Sequence, residues 1–207
     1  MRDTTLDIFT AKEKTRLLQD IGALVNASQF RVPIVLGKLT QGAYDPNTGT
    51  QSETWTRDKV YAIRGEFSVK ELSYFQGNIE LGDVLFLINK SDYLNDLGAD
   101  LDKEDELLEF RYDTGGINIT KGSTAVTGLG TSWLKNAGKS DYLRVKYETD
   151  YYSISSVSTN TALVLGAAYS NATKTSAGYE VYHKWRVVNV MKDVMDIIRK
   201  VHCRRVK

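Results

Sequence analysis

The sequence predicts a mainly β chain in which a second all-β module is spliced into a hairpin of the first. Three observations carry this reading. Twelve Tyr and three Trp among 207 residues favour pleated, half-buried surfaces, where aromatic rings pack well. Apolar alternations of period two recur from Arg31 onward. Between Tyr112 and Lys184 the composition changes to Gly, Ser, Thr, Ala and Tyr, while the strands on either side each look complete.

The chain opens on a helix signal. Thr10-Ala11-Lys12-Glu13 reads as a capping box, in which Thr10 and Glu13 satisfy each other's free backbone donors. Leu17, Leu18, Ile21, Leu24 and Val25 follow at helical spacing and form one apolar stripe. That stripe either covers the chain's own sheet or docks on a neighbouring subunit. Strand patterns then begin with Val32, Ile34 and Leu36, with Pro33 near the strand start, where a missing donor is tolerated. Tyr44-Asp45-Pro46-Asn47-Thr48-Gly49 is a turn, since Pro presets φ and Gly accepts positive φ.

Tyr61, Ile63 and Phe67 alternate in the next strand, and Val84 to Ile88 is an apolar run short enough for a fully buried strand. The acidic stretch 91–105 is expected to be a loop with a helical turn. Leu107 to Tyr112 is a strand, with Trp185 to Val190 as its expected partner. A last strand is expected near 195–205, although Val194, Ile197, Ile198 and Val201 have helical spacing. Within the insert, Leu143, Val145 and Tyr147 alternate with Tyr142, Arg144 and Lys146, and Tyr152, Ile154, Leu163 and Leu165 continue the pattern. Insertion at a hairpin tip replaces only an exposed turn. The expected organisation is a helical segment over 1–30, a discontinuous β domain over 31–114 and 183–207, and an inserted β domain over 115–182.

Charge sets further bounds. Lys+Arg 27 against Asp+Glu 26 gives a net charge of +1, so no global attraction to nucleic acid is expected. Residues 92–109 nevertheless carry eight acids against one Lys, and residues 199–207 carry five bases and no acid. Such runs are ordinarily solvated faces. The single Cys203 has no internal disulfide partner, which points to a reducing compartment. Arg2, Asp3 and Asp7 interrupt any signal-peptide pattern, no window approaches a membrane span, and the sequons at Asn26, Asn118 and Asn171 therefore carry no weight.

No catalytic, cofactor-binding or metal-binding set emerges. His183 and His202 are the only histidines, and neither lies in a recognisable nucleophile motif. Cys203 beside His202 is no catalytic pair, because adjacent strand residues point to opposite faces. Asp100-x-Asp102-x-Glu104 begins like a calcium loop but has Asp105 where the turn Gly belongs and Arg111 where the bidentate Glu belongs. Gly128-Leu129-Gly130-Thr131-Ser132 has no following Lys and reads as a glycine turn, not a phosphate loop. Tyr142, Tyr147, Tyr151, Tyr152, Tyr169, Tyr179 and Tyr182 either fill a small β core, the favoured reading, or line a stacking platform for sugars or nucleic acid.

Two stretches resemble known proteins. The frame resembles the head-closure (stopper) proteins of tailed bacteriophages, through the strand ending in Tyr44 to Thr50, then Phe67-Ser68-Val69-Lys70-Glu71-Leu72, Ile79 to Val84, Trp185 to Val190 and the basic end Cys203-Arg204-Arg205. The segment Gly122 to Trp133, with Tyr152 to Val157, Thr161 to Leu165 and Tyr169, resembles a small β module of phage neck and tail proteins. The frame match covers 31–112 and 184–207, while the helix and the insert depart from simple stoppers. The resemblance implies a small β-barrel, a homo-oligomeric ring between portal/adaptor and tail, and a DNA channel without sequence-specific binding. It implies no enzyme activity, no cofactor and no membrane, with assembly in the host bacterial cytoplasm and residence in the virion neck.

Alternatives are a tail-completion or tail-terminator protein, or an insert that binds host-surface carbohydrate. Under the ring reading, Leu17, Ile21, Leu24, Arg204 and Arg205 are candidate subunit or partner contacts. Asp96, Asp100, Asp102 and Asp105 are candidates for a channel loop, since acidic walls repel phosphate; a solvated outer loop is the plainer expectation.

Overall fold

The computed structural model describes residues 31–66, 79–80, 82–103, 105–192, 196 and 198–206. The expected N-terminal helix, with Leu17, Ile21 and Leu24, lies outside these residues, as does the motif Phe67 to Leu72. The described chain is mainly β, built on one large antiparallel sheet.

Strands β1 (Arg31–Asp45) and β2 (Thr50–Glu66) form a long hairpin. Its turn is set by Asp45, whose carboxylate accepts from Asn47 N and Thr48 Oγ1, while Gly49 takes φ +67°. β3 (Val84–Asn89) pairs with β2, and β4 (Glu106–Tyr112) pairs with β1. Between them lie a 3₁₀ turn (Lys90–Asp92) and the one-turn helix α1 (Leu94–Leu97), as expected of the acidic stretch. The long β11 (Tyr179–Lys192) pairs with both β4 and β12 (Ile198–Arg205), and β12 pairs with β3. The pairing therefore returns on itself, in the order β11, β12, β3, β2, β1, β4 and back to β11.

Alternation sends one side chain in two to the inside of this circuit. Ile34, Leu36, Val60, Ala62, Val84, Phe86, Ile88, Leu107, Trp185, Val187, Val201 and Cys203 fill it, and Tyr93, Leu97 and Leu101 close one end. Three expectations need correction here. In β2 the inward face is Val60 and Ala62, while Tyr61 lies outside beneath the Arg31 guanidinium. In β3 the inward residues are Val84, Phe86 and Ile88, whereas Leu85 and Leu87 are only half-buried. The last segment is the expected strand, because β11 and β3 hydrogen-bond both of its edges. β4 pairs with Val181 to Arg186, a window that starts four residues earlier on β11 than the expected Trp185 to Val190.

The segment between β4 and β11 holds β5 (Gly116–Ile119), β6 (Ala125–Leu129), the short helix α2 (Trp133–Asn136), β7 (Tyr142–Val145), β8 (Tyr152–Thr159), β9 (Ala162–Leu165) and β10 (Lys174–Ala177). The order is β10-β5-β6-β9-β8-β7, with β7 pairing to β11. Ile117, Ile119, Val126, Trp133, Leu143, Val145, Ile154, Leu163, Leu165, Tyr169 and Tyr179 form its own core. The Gly128–Gly130 stretch is the end of β6 and the bend after it, with Gly130 at φ +67°. A third, smaller cluster joins the two parts: Val35, Leu108 and Tyr182 pack with Phe110, Tyr142 and Tyr151 on the outer face of the circuit.

Beyond Gly37 on β1 and before Ala62 on β2, the hairpin pairs with no third strand among the described residues. From Thr40 to Thr54 it is almost wholly exposed and projects as a two-stranded arm.

Candidate functional site

The inward face of the circuit changes character at the end away from Tyr93 and Leu97. Arg64 lies opposite Phe86, and Arg205 opposite Trp185, so both share the inward parity of those core residues. His183 and Glu109 face each other one step beyond the Trp185–Leu107 pair. A register shift leaves Arg111 without an opposite residue between Phe110 and Tyr112. Bulges of this kind re-aim side chains at the rims of closed sheets. These residues line a cavity of about 580 Å³, with Gly82, Asp83, Phe110 and Arg204 around it.

Trp185 is its floor. Its indole Nε1 donates to Glu109 Oε2 at 2.9 Å, and the guanidiniums of Arg64 and Arg205 each lie 5.8 Å from its ring centroid. Arg64 is 3.5 Å from Glu109 Oε1. Burial, then Arg205, Arg111 and Arg64, push the His183 pKa down to about 4, so the imidazole is neutral near pH 7.

Beside this mouth lies a seam. β7 and β12 follow one another along the same edge of β11, and the residues at their junction are Asp141 and Arg205. The Asp141 carboxylate is fully buried and lies 2.6 Å from Arg205 Nη2. It also accepts from Gly138 N. Burial raises its pKa, and Arg205 opposes that shift. On the rim, His202 Nε2 lies 2.7 Å from Asp83 Oδ2, and Arg204 Nε donates to Asp83 Oδ1 at 3.0 Å. Burial disfavours the charged Asp83, but hydrogen bonds from Arg204, Glu80 N and His202 outweigh it and hold its pKa at about 2.

On the other side of the seam, Arg57 sits among three rings, 5.1 Å from Tyr151, 5.4 Å from Tyr142 and 5.7 Å from Trp55. Its Nη2 reaches the buried Glu106 at 2.7 Å, and Lys184 Nζ reaches the same carboxylate at 3.0 Å. The tyrosines singled out in the sequence thus divide. Tyr152, Tyr169 and Tyr179 belong to the second core, Tyr142, Tyr151 and Tyr182 hold the junction, and Tyr147 alone is fully exposed. That distribution gives a stacking platform little free ring surface.

Arg204 and Arg205 therefore lie at the mouth, each bound to acids of its own chain. The acidic residues lie at the opposite end of the circuit. Asp100 accepts from Arg199, whose side chain is fully buried, and from the Tyr93 hydroxyl. The Arg199 guanidinium holds the Asp100 carboxyl well below the usual carboxylate range. Asp102 and Asp105 both pair with Lys38, at 2.7 and 3.0 Å, and Asp96 is exposed on α1. The structure thus brings Asp100, Asp102 and Asp105 into ion pairs with the strands.

Sequence reasoning missed Arg64, Glu109, Arg111 and His183 as a group. The signal was present in the strand parity, which continues from Ala62, Leu107 and Trp185 onto charged residues at the same end of three strands. Among the described residues no group of three or more His, Cys, Asp or Glu is placed to hold a metal, and no helix is long and apolar enough to cross a membrane. Cys203 is buried in the first core, which pushes its thiol pKa up.

No protein-family model and no curated protein matches the chain. Among solved structures, the chain is similar to a Shigella flexneri 2a protein whose solution structure came from a structural genomics consortium. The identity is 13% and the TM-score 0.34, covering 87% of this chain and 96% of that one.

Proposed function

We propose that the protein is a structural component of the neck of a tailed bacteriophage. In this reading several copies form a ring between portal/adaptor and tail, close the DNA channel and offer the surface on which the tail docks. The observation that carries the proposal is the closed six-strand circuit, which we read as a small barrel. It is built largely from the segments, 31–112 and 184–207, that resemble head-closure proteins, with Val181 to His183 completing the β4–β11 pairing. The projecting β1–β2 arm also supports it. An isolated two-stranded ribbon is marginal in water, and no third strand pairs with either edge of this one among the described residues. Neighbouring copies in a ring supply its partner.

No catalytic step is part of the reading. A tail-completion role would use the same ring at a different level of the neck.

The test is the position and copy number of the chain in intact particles, read by electron microscopy of the neck and quantitative mass spectrometry. A ring of several copies at the head–tail junction is expected. One or two copies per neck, or a location away from the junction, overturns the proposal.

A further inference from the structure

We infer that the barrel mouth is a binding site for a phosphate oxyanion, held by Arg111 and His183 with Arg64 beside them. The argument starts from which charges in the mouth are already satisfied. Arg204 is held by Asp83 and Glu80, Arg205 by the buried Asp141, and Arg64 loosely by Glu109. Arg111 has no ion pair or hydrogen bond among the described residues. His183 has no hydrogen-bond partner there either, its nearest acid being Asp141 at 3.8 Å. Both line the same cavity, and Arg111 has no opposite residue on β11.

The chemistry of this set selects the ligand. A guanidinium offers parallel N–H donors that match two oxygens of a phosphate. A neutral imidazole offers one further N–H donor, and the protonated ring offers two. The groups facing His183 are Arg64 from β2, Glu109 and Arg111 from β4, Arg205 from β12 and Asp141 from the seam. Burial first, and then the three arginines, suppress its protonation, so the arginines outweigh the two carboxylates at the ring. A dianion seated there reverses that balance and lets the ring take up a proton. The mouth of a closed sheet with an indole floor is a usual place for a small-ligand pocket, and about 580 Å³ admits a phosphate ester.

The test uses the full chain in chloride buffer, with inorganic phosphate as the probe. Because His183 and His202 are the only histidines, a His183→Gln variant assigns their ring-proton NMR signals. Saturable phosphate binding is expected, with an upward shift of at least one unit in the His183 pKa. Arg111→Gln is expected to weaken binding at least tenfold. Arg186→Gln, an exposed arginine on the outer face of β11, is expected to leave it unchanged. A short DNA duplex that competes with phosphate through Arg111 identifies a nucleic-acid phosphate as the natural source, and one that fails to compete identifies a free phosphate ester. The inference is overturned by absence of saturable phosphate binding, by an unmoved His183 pKa, or by equal affinity in Arg111→Gln.

Discussion

Arg205, the last residue of β12, places its guanidinium 2.6 Å from the fully buried carboxylate of Asp141, the residue before β7. The two strands abut along one edge of β11, so this pair ties the closed circuit to the second module. Its energetic weight follows from burial. Two charges taken out of water are costly to keep and still more costly to separate.

Arg205→Met is therefore expected to destabilise the protein by about 3–5 kcal/mol, because Asp141 is left charged and unpaired. Asp141→Asn in the same background restores part of the loss, since the amide is neutral and still accepts from Gly138 N. Urea denaturation followed by tryptophan fluorescence measures both. A loss below about 0.5 kcal/mol for Arg205→Met, the range of ordinary surface changes, sinks the assignment.

The acidic segment gives a second contrast. Asp100→Asn removes one of the two carboxylates paired with the fully buried Arg199, leaving only Asp196, so a cost of about 2–4 kcal/mol is expected. Asp96 is exposed, and Asp96→Asn is expected to change stability by less than about 0.5 kcal/mol. Equal effects would show that the Asp100–Arg199 pair does not anchor the segment. DNA retention and ejection measured on the two variants then separate anchoring from a channel role.

Stability is expected to fall in two steps on acidification. His183 is held neutral in the fold, with its pKa depressed from 6.5 to about 4. Between those values the unfolded chain binds the proton first, so stability drops as pH falls through the window, by up to about 3 kcal/mol. Asp83 has a folded pKa of about 2 against 3.8, so its contribution is present above 3.8 and is lost as pH falls towards 2. Asp141, with a raised pKa, acts in the opposite sense near its own titration. Denaturation series at stepped pH test this, and His183→Gln should flatten the first step while leaving the second. A first step that persists in His183→Gln contradicts the assignment.

Backbone conformation supplies another check. Gly115 has φ +93°, and an added Cβ would clash with the carbonyl oxygen of Leu129. Gly115→Ala thus combines a left-handed strain of about 1–3 kcal/mol with a backbone clash. Proteolysis should open the segment 115–178 in this variant before the rest. Wild-type resistance throughout would mean that the loop shifts without cost.

Much of this architecture was legible because period-two alternation survives wherever one face is buried. Ile34 with Leu36, Leu143 with Val145, and Leu163 with Leu165 were read correctly for that reason. The face of β2 was misread because Tyr61 and Ile63 look more apolar than Val60 and Ala62. Space decides instead: the interior of a narrow closed sheet takes the small Ala62 opposite Ile88, and the Tyr61 ring packs outside under Arg31. The mouth was missed because parity marks Arg64, Arg111 and His183 only strand by strand, and closure of the sheet is what brings them together. The bulge that frees Arg111 leaves no trace in composition or spacing.

The junction between the modules carries the last prediction. Tyr112 lies opposite Val181, so replacing residues 113–180 by Asn-Gly closes β4 and β11 with a two-residue hairpin that matches strand twist. The inward core is left whole, because none of its residues comes from the removed segment. The outer face is not. Tyr142 and Tyr151 are lost, which exposes Val35, Leu108, Phe110 and Tyr182, and Arg205 loses Asp141. Burial of each such apolar side chain stabilises by about 1.5–3 kcal/mol. The excised protein is therefore expected to keep its β circular-dichroism signal but to melt at lower temperature and to bind a hydrophobic dye. Adding Val35→Thr, Leu108→Thr and Arg205→Thr should abolish dye binding without unfolding the chain. If both forms are unfolded, the circuit does not stand without the second module and the two share one cooperative unit. If the unmodified excision melts like the parent, the Val35–Leu108–Tyr182 cluster contributes nothing to holding the modules together.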